Sequence, residues 1–361
     1  MTIFRRLMSV FKYVEDRMTW EEIGEATKVL AARSINKNPN YHFLGSRFED
    51  YENALLNIKQ MGYYIGQQEF VRNGIAEKFA NAELPSRTFL KSKLCTQEDC
   101  ETSWFFYWLK EMRLGFVYHR KLWEFAYIVQ QLYAADMLRS GRRGLGFGCG
   151  TEPLPSLFAK YGAAALGTDL APDAEAGAAW IAANAHSSSR DKLINKEICE
   201  DAEKLELINH AFADMNHIPA EYNEKFDFTW SSCALEHVGS IELGLAFIEN
   251  SLNTLKPGGI AVHTTEYNLD NGETLDNWGT VLFQRKHMEQ LASRLSERGF
   301  LVEEFDFGAG SRVLDGLFDI PPWPWDEEKQ AWRMLSSVVH LKKSIHGFPC
   351  TSIGITIRKP N

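Results

Sequence analysis

Gly144-Leu145-Gly146-Phe147-Gly148-Cys149-Gly150-Thr151-Glu152-Pro153, followed by Gly167-Thr168-Asp169-Leu170, decides the fold of this chain. The order is an apolar strand, a glycine-rich turn, a helix opened by proline, a second strand and an acid. A turn that brings backbone against a ligand needs residues without a Cβ, and glycine also permits positive φ. Asp169 stands nineteen residues beyond Gly150. An acid there, at the end of the second strand, is placed to hold both hydroxyls of a ribose. The stretch reads as the nucleotide-binding front half of an open α/β sheet.

A dinucleotide site would read G-x-G-x-x-G. Neither register fits, because Cys149 or Thr151 falls where the third glycine belongs. This argues against a nicotinamide-dependent oxidoreductase. The glycines, with four later stretches, resemble the class I S-adenosylmethionine-dependent methyltransferases. The family's first motif reads acid-x-Gly-x-Gly-x-Gly, and the matching positions are Gly146, Gly148, Gly150 and Glu152. Gly146 replaces the leading acid and Glu152 the last glycine. Glu152, at the start of the next helix, is placed to pair with a ligand ammonium group instead. Its plainer reading is a helix-start carboxylate beside Pro153. Asp214-Met215 matches the end of the third strand, where the resemblance implies contacts to adenine. Phe226 to Val238, with Ser231 inside it, matches the fourth strand and its loop. Leu255-Lys256-Pro257-Gly258-Gly259 and residues 260–265 match the turn and fifth strand. The resemblance thus implies S-adenosyl-L-methionine as cofactor, bound by Gly146, Gly148, Gly150, Glu152, Asp169, Leu170, Asp214, Met215 and Ser231.

Outward from this centre, a helical pattern over 119–138 ends at Ser140-Gly141. Helix and strand then alternate over 153–161, 164–168, 172–185, 208–213, 226–230, 241–254 and 260–265. An amphipathic helix covers 285–299, a sixth strand 300–307, and a terminal strand 351–358. The expectation is a doubly wound, mostly parallel seven-stranded sheet with helices on both faces. By resemblance, its last strand is antiparallel. Residues 1–112 form an N-terminal helical region covering the acceptor side. Residues 113–361 form the Rossmann-like domain, with an insertion at 308–345 that carries the stiff stretch Ile320-Pro-Pro-Trp-Pro-Trp-Asp. Trp104-Phe-Phe-Tyr-Trp-Leu is read as core between two layers, or as one wall of a substrate pocket.

With 361 residues, the chain can bury a large core without covalent staples. A net charge of −9 and the lack of a basic run argue against a nucleic-acid partner. The six cysteines are scattered, without a second Cys/His pair at zinc spacing, which suits a reducing cytoplasm. No apolar run reaches the length of a membrane span. Residues 1–12 are amphipathic and basic, and would bind an anionic membrane surface only weakly.

Ligands of open α/β sheets sit beyond the carboxyl ends of the strands. That rule selects Glu236, His237, Glu266 and Tyr267. A histidine's unperturbed pKa lies near neutrality, which makes His237 a candidate general base, and Glu266 is the other. Glu236, His237 and Glu266 offer oxygen and imidazole ligands, but no spacing enforces a metal, and none is expected. Trp123 and Glu124 stand where they could close over the cofactor or pack in the core. The expected activity is methyl transfer to a small molecule or glycan, preferentially a sugar hydroxyl. A natural-product O- or N-methyltransferase and a catalytically silent binding module stay open as alternatives.

Overall fold

The computed structural model describes residues 42–172, 186–320 and 339–361. The basic N-terminal stretch, residues 173–185 of the helix expected over 172–185, and the Pro/Trp-rich stretch beyond Ile320 lie outside these residues. The chain divides into two compact units, residues 1–61 and 62–361. The described part of the first unit is helical. It belongs to α1 (His42–Arg72), which continues into the second unit. The helical run through residues 69–79 breaks at Gly74. Gly74 takes a φ of 61°, and α2 (Ile75–Ala80) starts afresh behind it.

The second unit continues with β1 (Ser92–Lys93), α3 (Gln97–Cys100), α4 (Ser103–Glu111) and α5 (Arg120–Ala134). The alternating half follows: β2 (Arg143–Phe147), α6 (Leu154–Lys160), β3 (Ala164–Asp169), α7 (Ala202–Leu205), β4 (Ile208–Phe212), β5 (Phe226–Ser232), α8 (Ile241–Ser251) and β6 (Leu255–Asn268). Then come α9 (Arg285–Glu297), β7 (Leu301–Val302), β8 (Phe305–Asp306), β9 (Phe318–Asp319), β10 (Lys342–Ile345) and β11 (Phe348–Arg358).

The main sheet runs β4-β3-β2-β5-β6-β11-β10-β9, with β7 also on β11. The five strands from β4 to β6 are parallel, and β11 is antiparallel to β6. This is the expected frame, widened by β9 and β10 from the insertion. The expected sixth strand is split: β7 pairs with β11, whereas β8 pairs with β1 in a separate two-stranded ribbon. Along the side of β11 away from β6, β10, Leu94 and β7 pair in turn, so no long open edge remains there.

Two apolar layers sandwich the sheet. On one face, the aromatic run of α4 and the buried side of α5 pack with Phe158, Phe228 and Trp230. On the other, α8 and α9 cover Leu145, Phe147, Ile353, Ile355 and Ile357. Buried indoles need a partner for their N–H. Trp108 finds Gln130 at 2.8 Å and Trp123 finds Asp99 at 3.0 Å. Trp123 is fully buried and stacked on Tyr127, so it is core.

Candidate active site

The glycine run divides into two kinds of glycine. Gly144 and Gly146 lie within β2, opposite Phe228 and Trp230 of β5. A Cβ on Gly144 would meet the Phe228 ring at 2.1 Å, and one on Gly146 would meet Trp230 at 2.3 Å. These are packing glycines. Gly148 and Gly150 have φ of 58° and 51° and shape the turn itself. A Cβ on Gly148 would reach Ala234 at 2.6 Å, and Met215 Sδ lies 3.7 Å from that point. The turn therefore sits against the ends of β4 and β5. The Cys149 N–H, donating to Thr168 O at 3.0 Å, fastens it to β3.

Trp230 also explains the altered motif. Its Nε1–H donates to Glu152 Oε1 at 2.6 Å. The ring that excludes a side chain at Gly146 thus positions a carboxylate at the far end of the turn. No Lys or Arg makes an ion pair with Glu152 among the described residues. Burial pushes its carboxyl up to about 8, against the opposing pull of the Trp230 hydrogen bond and of Lys121. A half-buried acid without an ion-pair partner suits a cationic ligand.

Asp169 braces the turn. Its Oδ2 accepts the N–H of Gly150 at 3.2 Å and of Ser187 at 2.9 Å, and Oδ1 accepts from Leu170 at 2.9 Å. A carboxylate has about four lone-pair sites, so acceptor capacity is left. The Leu170 carbonyl meets His186 Nε2 at 2.7 Å. Asp214 is half-exposed and locally engaged: it accepts from Asn216 N–H at 2.8 Å and lies 2.8 Å from His217 Nδ1. Ser231 differs from its neighbours. Its hydroxyl is buried and lies 2.8 Å from His263 Nδ1, inside the layer under α8. Strand alternation puts Trp230 on the opposite face.

At the carboxyl ends of β5 and β6 lies a buried ionic cluster; Glu266 and Tyr267, expected after the fifth strand at residue 265, lie within β6, which runs on to Asn268 in pairing with β11. Arg120 and Lys121, in the first turn of α5, both reach Glu124, at 2.8 Å each. Arg120 also reaches Glu266 at 2.6 Å, and Lys343 of β10 reaches the same oxygen at 2.7 Å. Cys233, at a φ of 48°, donates to Glu124 at 3.0 Å. Burial alone would raise the pKa of Glu124 and Glu266, but the neighbouring cations overcome it, holding Glu124 well below the usual carboxylate range and lowering Glu266 as well. Glu124 is therefore a cluster member inside the core, not an exposed cover.

Glu236 is the exception. One oxygen accepts from Thr265 at 3.0 Å, while Oε1 is buried without a hydrogen-bond partner. Burial raises its pKa, and Glu266 adds to the rise. His237 Nε2 lies 3.9 Å from Glu236 Oε1, and its Nδ1 lies 2.8 Å from the Gly279 carbonyl. Glu266 Oε2 is likewise buried without a partner. Atoms of Cys233, Glu236 and Glu266 lie within 4.8 Å of one another. Arg120 and Lys343 already supply positive charge there, which disfavours an added cation.

His237, Glu266, Gly148, Gly150, Glu152 and Asp169 thus gather at the carboxyl end of the sheet. Arg120, Lys121, Cys233, Trp230 and Lys343 were not singled out from sequence. The spacing Arg120-Lys121-x-x-Glu124 was a visible helix-face signal. Nothing local marks Lys343.

A family model described as a methyltransferase domain matches residues 122–305. No curated protein matches the chain in sequence. Among solved structures, one considered a sarcosine dimethylglycine methyltransferase, from Galdieria sulphuraria, is 16% identical. It matches with a TM-score of 0.42 over 72% of this chain and 99% of that one. Phosphoethanolamine N-methyltransferase 2 of Haemonchus contortus, in complex with phosphomonomethylethanolamine and S-adenosylhomocysteine, is 15% identical. Its TM-score is 0.38, over 62% of this chain and 50% of that one. An S-adenosylmethionine-dependent methyltransferase from Mesorhizobium loti is 17% identical, with a TM-score of 0.35 over 64% and 97%.

Proposed function

The chain belongs to the methyltransferase-domain family, with the class I Rossmann-like fold, and from that premise we propose that it transfers a methyl group from S-adenosylmethionine to a hydroxyl of a small molecule or glycan. The observation that carries the cofactor assignment is Glu152: a half-buried carboxylate, presented at the glycine turn by Trp230 and lacking an ion-pair partner among the described residues. It would hold the methionine ammonium. Asp169 would hold the ribose with its remaining lone pairs, and Gly148 and Gly150 would let the ligand lie on bare backbone. Asp214 and Met215 would flank the adenine, and Leu170 and Ser231 would contribute backbone only. The cofactor supplies a methyl group on a sulfonium and departs as a neutral thioether.

The acceptor side is assigned to the loop after β5 and to the carboxyl-terminal end of β6, which carries Glu266. The buried, unpartnered oxygens of Glu236 and Glu266 suit a ligand that donates hydrogen bonds. Trp278 is 49% exposed and stands one residue before the carbonyl beside His237. An exposed aromatic face there suits the apolar side of a sugar ring. The described ends of the insertion reach the same region: His340 O accepts from Arg120 N–H at 3.0 Å, and His340 Nδ1 lies 2.6 Å from Asp319. Calorimetry with S-adenosylmethionine, S-adenosylhomocysteine and NAD tests the cofactor. Binding of the two adenosyl ligands alone is expected, and failure of both to bind refutes the reading. Release of S-adenosylhomocysteine over a panel of sugars, phenols and amines tests the acceptor. Turnover of amines only would replace the hydroxyl.

A further inference from the structure

The amino-terminal edge of the parallel sheet carries a second cleft, of about 510 Å³. That is the scale of a small-ligand site. It lies where the chain enters β2 and β3. Arg143 and Ala164 open those strands, whereas Gly148 and Asp169 stand at the other end, about 16 Å along the sheet. The turns that feed the two strands close on each other. Gly162 takes a φ of 89°, and a Cβ on it would come within 3.3 Å of Ser140 N. Tyr161 and Leu207 give the cleft apolar surface. Arg142, Arg143 and Lys204 also line it, and no acid among the described residues does.

The charge of this cleft runs against that of the chain, which is −9. Each nearby acid is already engaged. Asp227 accepts from Arg142 Nη1 at 3.0 Å, from the Arg143 N–H at 3.0 Å and from Lys256 at 2.9 Å. Glu206 pairs with Arg190 at 3.0 Å, and Glu111 with Lys160 at 2.9 Å. Neither the Arg143 guanidinium nor the Lys204 ammonium makes an ion pair among the described residues. The Arg143 guanidinium lies over the Phe226 ring, 4.8 Å from its centroid, a contact that leaves the in-plane N–H donors open. Lys204 Nζ gives one hydrogen to the neutral Lys160 carbonyl at 2.9 Å and has two more to give.

Two cations without a counter-ion, beside a third whose carboxylate is shared with Lys256, attract an anion. The donors suit a phosphomonoester better than a carboxylate. The phosphate offers three acceptor oxygens and nearly two negative charges at neutral pH, the carboxylate two oxygens and one charge. We propose that this cleft binds a small organic phosphate, with the phosphate against Arg142, Arg143 and Lys204 and the carbon portion on Tyr161 and Leu207. The site is separate from the glycine turn and stands whether or not the chain transfers methyl groups.

Calorimetry on the full chain, in phosphate-free buffer of low salt, tests this with phenyl phosphate, inorganic phosphate and benzoate. Phenyl phosphate should bind at one site and more tightly than the other two. The double variant Arg143→Gln/Lys204→Gln should bind it about tenfold more weakly or worse, as for losing hydrogen bonds to a charged group. Arg142 is kept, because it fastens Asp227. Both changed side chains are exposed, so Tm should match wild type. Lys204→Gln alone should account for part of the loss. S-adenosylhomocysteine carries no phosphate, and saturating wild type with it should leave the phenyl phosphate affinity unchanged. Displacement by that ligand would place the phosphate at the glycine turn and overturn the proposal. So would equal binding by wild type and the double variant, or affinity for inorganic phosphate or benzoate equal to that for phenyl phosphate.

Discussion

Trp230 gives its indole N–H to Glu152 across 2.6 Å, and the same ring fills the space that a side chain at Gly146 would need. The acid that the family carries on the first strand is therefore absent for a steric reason. A carboxylate six residues later stands at the turn in its place.

Glu152→Gln should weaken S-adenosylhomocysteine binding by about 1.5–3 kcal/mol, the span for a hydrogen bond to a charged group. Methylthioadenosine lacks the amino-acid end, so its affinity should change little. Calorimetry on both ligands checks this, and equal losses would leave Glu152 as a helix-start residue only.

The same carboxyl makes binding pH-dependent. Burial pushes it up to about 8, so the unliganded protein carries it protonated at neutral pH. Because the folded value is raised, its contribution to stability is complete below the unfolded range and is lost as pH rises through about 8. A ligand ammonium needs the ionised form. The rise in Tm caused by S-adenosylhomocysteine should therefore grow from pH 6 to pH 8, and Glu152→Gln should flatten that slope. A pH-independent shift in wild type would refute the linkage.

Asp169→Ala removes the acceptor for three backbone N–H groups as well as the ribose contact. Adenosyl affinity should fall by about 1–3 kcal/mol, and Tm should fall with it. Asp169→Asn keeps one acceptor oxygen and should recover part of the Tm. Thermal melts with and without ligand separate the two effects.

Arg120→Met leaves Glu124 and Glu266 short of a buried partner, which should cost about 3–5 kcal/mol. Both acids have lowered pKa values, so their stabilisation is present above the unfolded carboxylate range and is lost as pH falls through the folded values. Denaturant titrations should show the variant losing less stability than wild type on acidification. Adding Glu266→Gln to Arg120→Met should restore part of the loss.

What could be read in the chain was local. The Gly148 and Gly150 turn, the acid at Asp169 and the strand–helix alternation depend on neighbours in sequence; the turn and the acid are where the pattern put them, and so are the parallel strands β2 to β6. The roles of Gly144 and Gly146 depend on Phe228 and Trp230, which reach them only through strand pairing. The hydroxyl of Ser231 faces His263 because Trp230 claims the other side of β5. Lys343 and Ser352 enter the ionic cluster from a hairpin far along the chain, and nothing around them in sequence announces a buried charge. The contrast between Glu236 and Glu266 rests on which of two neighbouring carboxylates the cations reach, and that is a fact of packing alone.

The position of β11 between β6 and the flanking segments has a consequence for biosynthesis. A ribosome makes residues 342–358 only after all of β2 to β6, α8 and α9, yet Lys343 neutralises Glu266, Ser352 hydrogen-bonds Glu124, and Ile353, Ile355 and Ile357 fill the layer against α8 and α9. Until that segment emerges, the nascent chain exposes a long β6 edge and carries an acid short of its counter-charge. It needs shielding from neighbouring chains over this interval. Chains arrested before residue 342 should be cut readily around β6 by protease, and chains that include residues 342–358 should resist.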